Sequence, residues 1–247
     1  MTTSRSAIQD AATAPLVALV TGANKGIGRA VVSGLARKGF AVYLAARDKE
    51  RGAAAAAELA ADGDVRFLHL DVTSDTDVRA AAAAVGSEFG HLDVLVNNAG
   101  VSVGYNHPQD ETPDNFRFVY ETNVFAVVRV TNAFLPLLRK SAAARIVNVT
   151  SKRGSIGEPG AWVGQPSMVY SSSKTALNAL TVHYARELAG TPIKVNGAAP
   201  GHVATDFNGF RGTRSPQEAA VVVIRLATLD QDGPNGAVFE DETQLRW

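Results

Sequence analysis

"LVALVTGANKGIGRAV", residues 16–31, passes from an apolar segment through a glycine turn into a second apolar pattern of longer period. Residues 16–22 read as a strand, and 28–39 as a helix stopped by Gly39. Gly22, Gly26 and Gly28 lie at the junction. Glycine lets a backbone turn tightly and approach a pyrophosphate, and a helix N-terminus offers free N–H groups with a partial positive charge. The spacing is G-x-x-x-G-x-G rather than G-x-G-x-x-G. A glycine turn alone is a weak sign. Between a strand and a helix it predicts a dinucleotide site at Gly22, Asn24, Lys25, Gly26, Ile27 and Gly28.

The same alternation continues along the chain. Short β-branched runs at 41–47, 64–72, 92–100, 144–151, 193–201 and 236–239 read as strands. Alanine- and leucine-rich segments at 49–63, 75–89, 112–139 and 168–189 read as helices, as does the segment after Ser215–Pro216. Pro136 is expected to bend the last turn of the long helix over 112–139. Strands separated by helices predict an α/β fold: a Rossmann-type, doubly wound parallel sheet of about seven strands, covered on both faces. Nothing in the composition divides the series, so residues 16–247 are expected to form one dinucleotide-binding catalytic domain. The polar stretch "MTTSRSAIQDAATAP" (1–15) reads as a flexible arm without a signal-peptide core.

Composition narrows the function. Twenty-four basic residues balance twenty-four acidic ones and no basic run occurs, which argues against nucleic acid or an acidic membrane as the main partner. No apolar run reaches the roughly 18 residues of a membrane span. There is no cysteine, so disulfides, thiolate metal sites and thiol nucleophiles are excluded, and a cytoplasmic location is expected. The five histidines lack metal-ligand spacing, and "DQDGPNG" (230–236) reads as a turn, not a calcium loop. No metal is expected.

In a parallel α/β sheet, ligands bind beyond the carboxyl ends of the strands. The ends here are Thr21–Gly22, Arg47, Asp71, Asn97–Gly100, Thr150–Ser151 and Pro200–Gly201, all polar or glycine-rich. Arg47 and Lys25 supply two cations suited to a ribose 2′-phosphate, which favours NADP(H) over NAD. The competing use of Arg47 is an ion pair with Asp48 or a surface glutamate. Asp71, followed by Val72, is expected to accept a hydrogen bond from the adenine amino group. In "VYSSSKTALNAL" (169–180), Tyr170 and Lys174 stand four apart, one helical turn, on one face. An unperturbed tyrosine has a pKa of about 10. A nearby ammonium favours the phenolate and eases proton exchange.

Together, "TGANKGIG" (21–28), "NNAG" (97–100), Asn123 in "ETNVFA", Ser151 closing "IVNVTS", "YSSSK" (170–174) and "PGHVATD" (200–206) occur in this order. The chain resembles the short-chain dehydrogenase/reductase family over essentially everything after residue 15. "NKGIG" and "LAARDKERG" are most like its NADPH-dependent carbonyl reductases. The resemblance implies that Tyr170 protonates the substrate carbonyl oxygen as hydride arrives. It implies that Lys174 holds the nicotinamide ribose and lowers the tyrosine pKa, that Ser151 hydrogen-bonds the carbonyl, and that Asn123 anchors a proton-relaying water. It places Asn98, Ala99 and Gly100 beside the cofactor, and Pro200, Gly201, Val203 and Thr205 around the nicotinamide. The implied activity is reduction of a ketone, aldehyde or quinone. Oxidation of an alcohol or hydroxysteroid is the alternative direction, and a non-catalytic NADP-sensing regulator is the reading from another class.

One feature departs from the family. Ser151 and Tyr170 are further apart than in most members, the extra residues lying in "KRGSIGEPGAWVGQPSM" (152–168). Glycines and prolines mark this as a loop, and Trp162 is expected either to wall the substrate or to pin the loop down. Ser155 is a lesser rival to Ser151. Similar inserts in relatives sometimes accompany a monomeric state, whereas most members form dimers or tetramers, so assembly is left open. Loops 101–111, 152–168 and 202–214 are expected to shape the pocket.

Overall fold

A computed structural model describes residues 15–247; the expected arm falls almost wholly outside them. Eight strands form one sheet in the order β3-β2-β1-β4-β5-β6-β7-β8. They are β1 (Val17–Thr21), β2 (Ala41–Ala46), β3 (Val65–His69), β4 (Val94–Asn97), β5 (Arg145–Val149), β6 (Lys194–Ala198), β7 (Val238–Glu240) and β8 (Thr243–Gln244). The first seven pair in parallel. β8 folds back antiparallel on β7. Sequence reading anticipated about seven strands. The additional one is two residues long, too short to carry a periodic signal.

β1, β2, β4 and β5 are buried along their whole lengths, as strands must be when helices cover both faces. Alternate residues enter opposite cores. Ala18 and Val20 join Val31, Leu35, Val222 and Leu226 on one side. Val17 and Leu19 join Val85, Val130, Phe134 and Leu188 on the other. The first layer contains α1 (Gly26–Ala36), α2 (Lys49–Glu58) and α7 (Pro216–Ala227); the second contains α3 (Asp75–Glu88), α5 (Ala126–Leu138) and α6 (Met168–Glu187).

The order reverses between β1 and β4, so the chain leaves these neighbours in opposite directions and a crevice opens beyond their ends. Register brings the ends level: Thr21 lies opposite Ala45, Asn97 opposite Asn148, and Val149 opposite Ala198.

The segment expected as one long helix is interrupted. α4 (Pro113–Tyr120) is capped by Thr112, whose hydroxyl accepts from the Asn115 N–H at 3.3 Å. Residues Glu121–Phe125 then form a π turn before α5 begins. The distortion carrying Asn123 therefore precedes Pro136, which lies inside α5. Helical periodicity cannot separate a π turn from the α-turns flanking it. Its side-chain partners come from distant segments.

α7 starts directly after loop 202–214 and is fixed by a capping box. The Ser215 hydroxyl accepts from Glu218 N at 3.2 Å, while Glu218 Oε2 accepts from Ser215 N at 2.7 Å. Ser215→Ala should cost about 1 kcal/mol, lowering Tm by roughly 2–4 °C in a thermal melt.

Candidate functional site

The strand ends anticipated from sequence lie along the same edge of the parallel sheet. Gly22 and Gly26 adopt φ of +61° and +56°, in the left-handed region where glycine is favoured. A Cβ at Gly22 would lie 2.9 Å from the Ala99 Cα, and one at Gly28 would lie 2.5 Å from the Asn98 Nδ2. Asn98 makes this approach rigid: its Nδ2 donates to the carbonyls of Thr21 at 2.8 Å and Gly22 at 3.1 Å. The Thr21 hydroxyl accepts from the N–H groups of Asn98 and Ala99. The turn is thereby clamped between β1 and β4. Behind it, α1 has no side-chain cap and no acidic residue in its first turn. Its N-terminal N–H groups are suited to an anion.

At the next strand end, Asp48 caps α2 through Arg51 N at 3.0 Å and pairs with the Arg51 guanidinium at 3.4 Å. The competing Arg47–Asp48 pair does not form, and the Arg47 side chain has no ion pair among the described residues. Burial opposes ionisation of Asp71. Hydrogen bonds from the Thr73 hydroxyl and N–H, with the Arg47 charge, overcome it and hold the carboxyl below its ordinary pKa. Val72 uses its carbonyl to accept from Arg129 at 3.2 Å. Lys25 instead pairs with Asp206 across the cleft mouth. Thr205, beside it, would meet a Cβ on Gly26 at 3.3 Å.

The other half of the site comes from β5, α6 and the π turn. Lys174 is 4% exposed, and its Nζ donates to the Val149 carbonyl at 2.9 Å. It makes no salt bridge with any described carboxylate. Burial pulls its pKa down to about 8. The ammonium lies 5.7 Å from the Tyr170 ring centroid. Asn123 is fully buried: its Oδ1 accepts from Val101 N at 2.8 Å, and its Nδ2 donates to Val101 O and the Ser173 hydroxyl, each at 3.0 Å. Lys174 and Asn123 converge at Gly100, where a Cβ would lie 3.6 Å from Nζ and 3.5 Å from Oδ1. A side chain there would occupy the space between them.

Burial pushes the Tyr170 phenol up to about 12, opposed by the Ser151 hydroxyl and by the charge of Arg153. Lys174, expected to lower it, is not among the groups that do; desolvation outweighs those that are. Ser151 lies two residues beyond the end of β5 and caps the turn that follows, its hydroxyl accepting from Arg153 N at 3.2 Å. Ser155 turns inward, 1% exposed, where its hydroxyl accepts from Asn178 at 3.4 Å, so it is no rival. Gly201 takes φ +78° after Pro200, and Val203 bridges to Arg214. Trp162 is 77% exposed, which does not support a role as a pin for its loop.

Several neighbours escaped sequence reading. Phe207 packs on Tyr170 with ring centroids 5.6 Å apart. Arg211 lies over the Tyr105 ring at 5.5 Å, joining loops 202–214 and 101–111. Ser173, inside "YSSSK", links Asn123 to the Tyr170 carbonyl. Phe207 and Tyr105 lie in loops already expected to shape the pocket. The sequence does not say which loop side chains touch the phenol.

The short chain dehydrogenase model matches residues 16–215. The chain belongs to this family. A short-chain dehydrogenase of Penicillium roqueforti is 38% identical, the match covering 95% of this chain and 97% of that one. Carbonyl reductase (NADPH) 1 of Mus musculus is 35% identical over 94% of this chain and 98% of its own length. Among solved structures, the Pseudomonas aeruginosa RhlG/NADP active-site complex superposes with a TM-score of 0.80 at 32% identity, covering 92% of this chain and 94% of that one. This short-chain dehydrogenase is an oxidoreductase of carbonyl or CH–OH groups that uses a nicotinamide cofactor and a small-molecule substrate. No helix among the described residues is long and apolar enough to cross a membrane.

The Lys174 shift has a consequence for stability. The folded protein binds this proton less tightly than the unfolded chain, so the penalty is complete below about pH 8. It fades as pH rises towards the ordinary lysine value of 10.5. Lys174→Met should therefore stabilise the ligand-free fold by about 2 kcal/mol at pH 7. Denaturant titrations should show the gain shrinking between pH 8 and 10.5.

Proposed function

We propose that this enzyme is an NADPH-dependent reductase delivering hydride to a ketone, aldehyde or quinone carbonyl, with Tyr170 as the general acid. The observation that carries this reading is the meeting of Tyr170, Ser151, Lys174 and Asn123 at the glycine-lined crevice. When bound, the nicotinamide supplies the hydride. The protein has to position the carbonyl, move one proton and shield the reacting atoms.

A phenol pushed up to about 12 is a full proton donor near neutrality. It fits the reductive direction, in which the developing alkoxide takes a proton from Tyr170. Ser151, beside the phenol, is placed to donate a second hydrogen bond to the same oxygen, favouring the transition state over the less charged ground state. Lys174 carries the only one of these groups with an ammonium, and its single carbonyl partner leaves N–H bonds for ribose hydroxyls. Asn123 holds the Val101 backbone and Ser173, fixing the floor beneath the pair. Gly22, Gly26, Gly28 and the N-terminus of α1 fit the pyrophosphate, with Asn24 and Ile27 in the same turn. Asn98, Ala99 and Gly100 line the adjoining wall. Pro200, Gly201, Val203 and Thr205 shape the nicotinamide end.

The choice of NADP(H) rests on Arg47, which is not engaged by Asp48, and on Lys25, whose ion pair with Asp206 is exposed and therefore weak. A 2′-phosphate offers Lys25 a doubly charged alternative. Phe207 and Tyr105 provide apolar walls for the substrate. Trp162, on the exposed insert, is a further wall at the outer edge.

Steady-state NADPH oxidation against a panel of ketones, aldehydes and quinones tests the reading. Tyr170→Phe should lower kcat/KM by about 10² to 10⁴. Turnover as fast as wild type would remove Tyr170 from its role. Arg47→Ala should weaken NADPH binding in calorimetry by roughly 10- to 100-fold and leave NADH binding nearly unchanged. Equal losses for both cofactors would reassign Arg47.

A further inference from the structure

Arg129 lies on α5, just past the π turn, and its side chain reaches three different segments. Nη1 donates to the Val72 carbonyl at 3.2 Å. Nη2 donates to Glu121 Oε1 at 2.9 Å. Nε donates to Asp75, the first residue of α3. Val72 follows Asp71 at the strand end where the adenine is expected. Glu121 opens the π turn, and Asn123 is two residues on. The Arg129 side chain is 24% exposed, so these bonds are largely shielded from water. One guanidinium therefore joins the adenine end of the crevice to the segment that presents Asn123.

Packing alone does not fix this junction. Val72, Thr122 and Ala126 line a common cavity of about 10 Å³, closed by Asn97 and Ala99. A gap of this kind forfeits van der Waals contact along its walls. The π turn adds a second weakness, because it departs from regular helix geometry and needs support from outside its own ladder. The Arg129–Glu121 pair gives that support: its partners stand eight residues apart and bracket the whole turn. The planar fork suits the task. Its N–H groups point in fixed directions, so one carbonyl and two carboxylates are held in a single geometry. A lysine, with a compact charge on a freely turning stem, would not fix all three.

We infer that Arg129 is a positioning residue for the proposed reaction: one arm holds the Asp71–Val72 strand end for the cofactor, and the other holds the π turn that presents Asn123. The inference rests on the placement of the cofactor in the crevice. On its inner side the π turn is fixed by the Asn123 amide, which joins Val101 and Ser173. Arg129 supplies the outer restraint. Without the fork, α5 stays on the sheet through Val127, Val130 and Phe134, which are buried. The loss then falls on the π turn and the strand end rather than on the fold.

The test is NADPH affinity by calorimetry together with kcat for carbonyl reduction, with thermal melts on the same samples. Arg129→Met should weaken NADPH binding and lower kcat, each by roughly 3- to 10-fold. Glu121→Met cuts only the arm to the π turn. It should lower kcat by a similar factor and leave the NADPH Kd within about two-fold of wild type. Arg129→Lys should fall between wild type and the methionine variant on both readings. If Arg129→Met does not fold, Arg129→Gln replaces it as a neutral side chain able to keep one hydrogen bond. A residue that only stabilises the fold would lower Tm and leave Kd and kcat as in wild type, and that result overturns the inference. So does a loss confined to one of the two readings in the neutral Arg129 variant, or an equal weakening of NADPH binding by Glu121→Met. Wild-type enzyme that does not bind NADPH defeats the cofactor placement and this inference with it. Wild-type enzyme that binds and turns over NADPH, with an unchanged neutral Arg129 variant, defeats only the role of Arg129.

Discussion

Helix α6 lies on strand β5 through a seam of buried hydrogen bonds. Asn148 donates to the Thr181 hydroxyl at 2.9 Å, Thr150 donates to Asn178 at 2.6 Å, and Lys174 donates to Val149 O at 2.9 Å. Asn97 on β4 joins the seam by donating to Asn148 at 2.9 Å. Apolar packing alone tolerates sliding, because one methyl contact substitutes for another. A buried polar group does not, because each one left unpaired costs about 1–3 kcal/mol. The seam therefore fixes the translation and rotation of α6 on the sheet. The position of the Tyr170 phenol follows from that.

The same seam explains how a lysine is held where no carboxylate among the described residues neutralises it. Gly154 sits so close to α6 that a Cβ would lie 2.6 Å from the Lys174 carbonyl carbon. The segment after Ser151 is thus pressed against the helix backbone at the lysine. Stability and function pull in opposite directions here. An ammonium buried against one carbonyl is a poor contributor to the fold, and in the proposed role its remaining N–H groups would hold the ribose hydroxyls. The phenol beside it shares this origin: burial raises its pKa and leaves it protonated, as the proposed donation to a developing alkoxide requires.

Around this rigid pair the walls are loops, and they are tied to one another across the cleft. Lys25 reaches from the glycine turn to Asp206, and Arg211 reaches from loop 202–214 to the Tyr105 ring. These ties are exposed and weak compared with the buried seam. The strand ends and α6 thus form a fixed floor, and the substrate side is bounded by replaceable contacts. One fold can host many substrates in this way, with chemistry set by the floor and selectivity by the walls.

The amino-acid order by itself determined the parallel sheet, because continuous apolar strands alternating with helices can be buried in few other ways. It also determined which strand ends carry glycine, amide, hydroxyl and ammonium groups, since those are local patterns repeated at domain-length intervals. Only the tertiary structure decided what each group does electrostatically. The spacing of Tyr170 and Lys174 suggested an ammonium lowering a phenol, whereas the folded environment raises the phenol and lowers the ammonium, because desolvation depends on everything packed around them. The π turn at Asn123, the Phe207 ring on Tyr170 and the reach of Arg153 to Ser167 were equally hidden. Each is a contact between segments far apart in the chain or within a loop lacking periodicity, and a sequence pattern records only neighbours along the backbone.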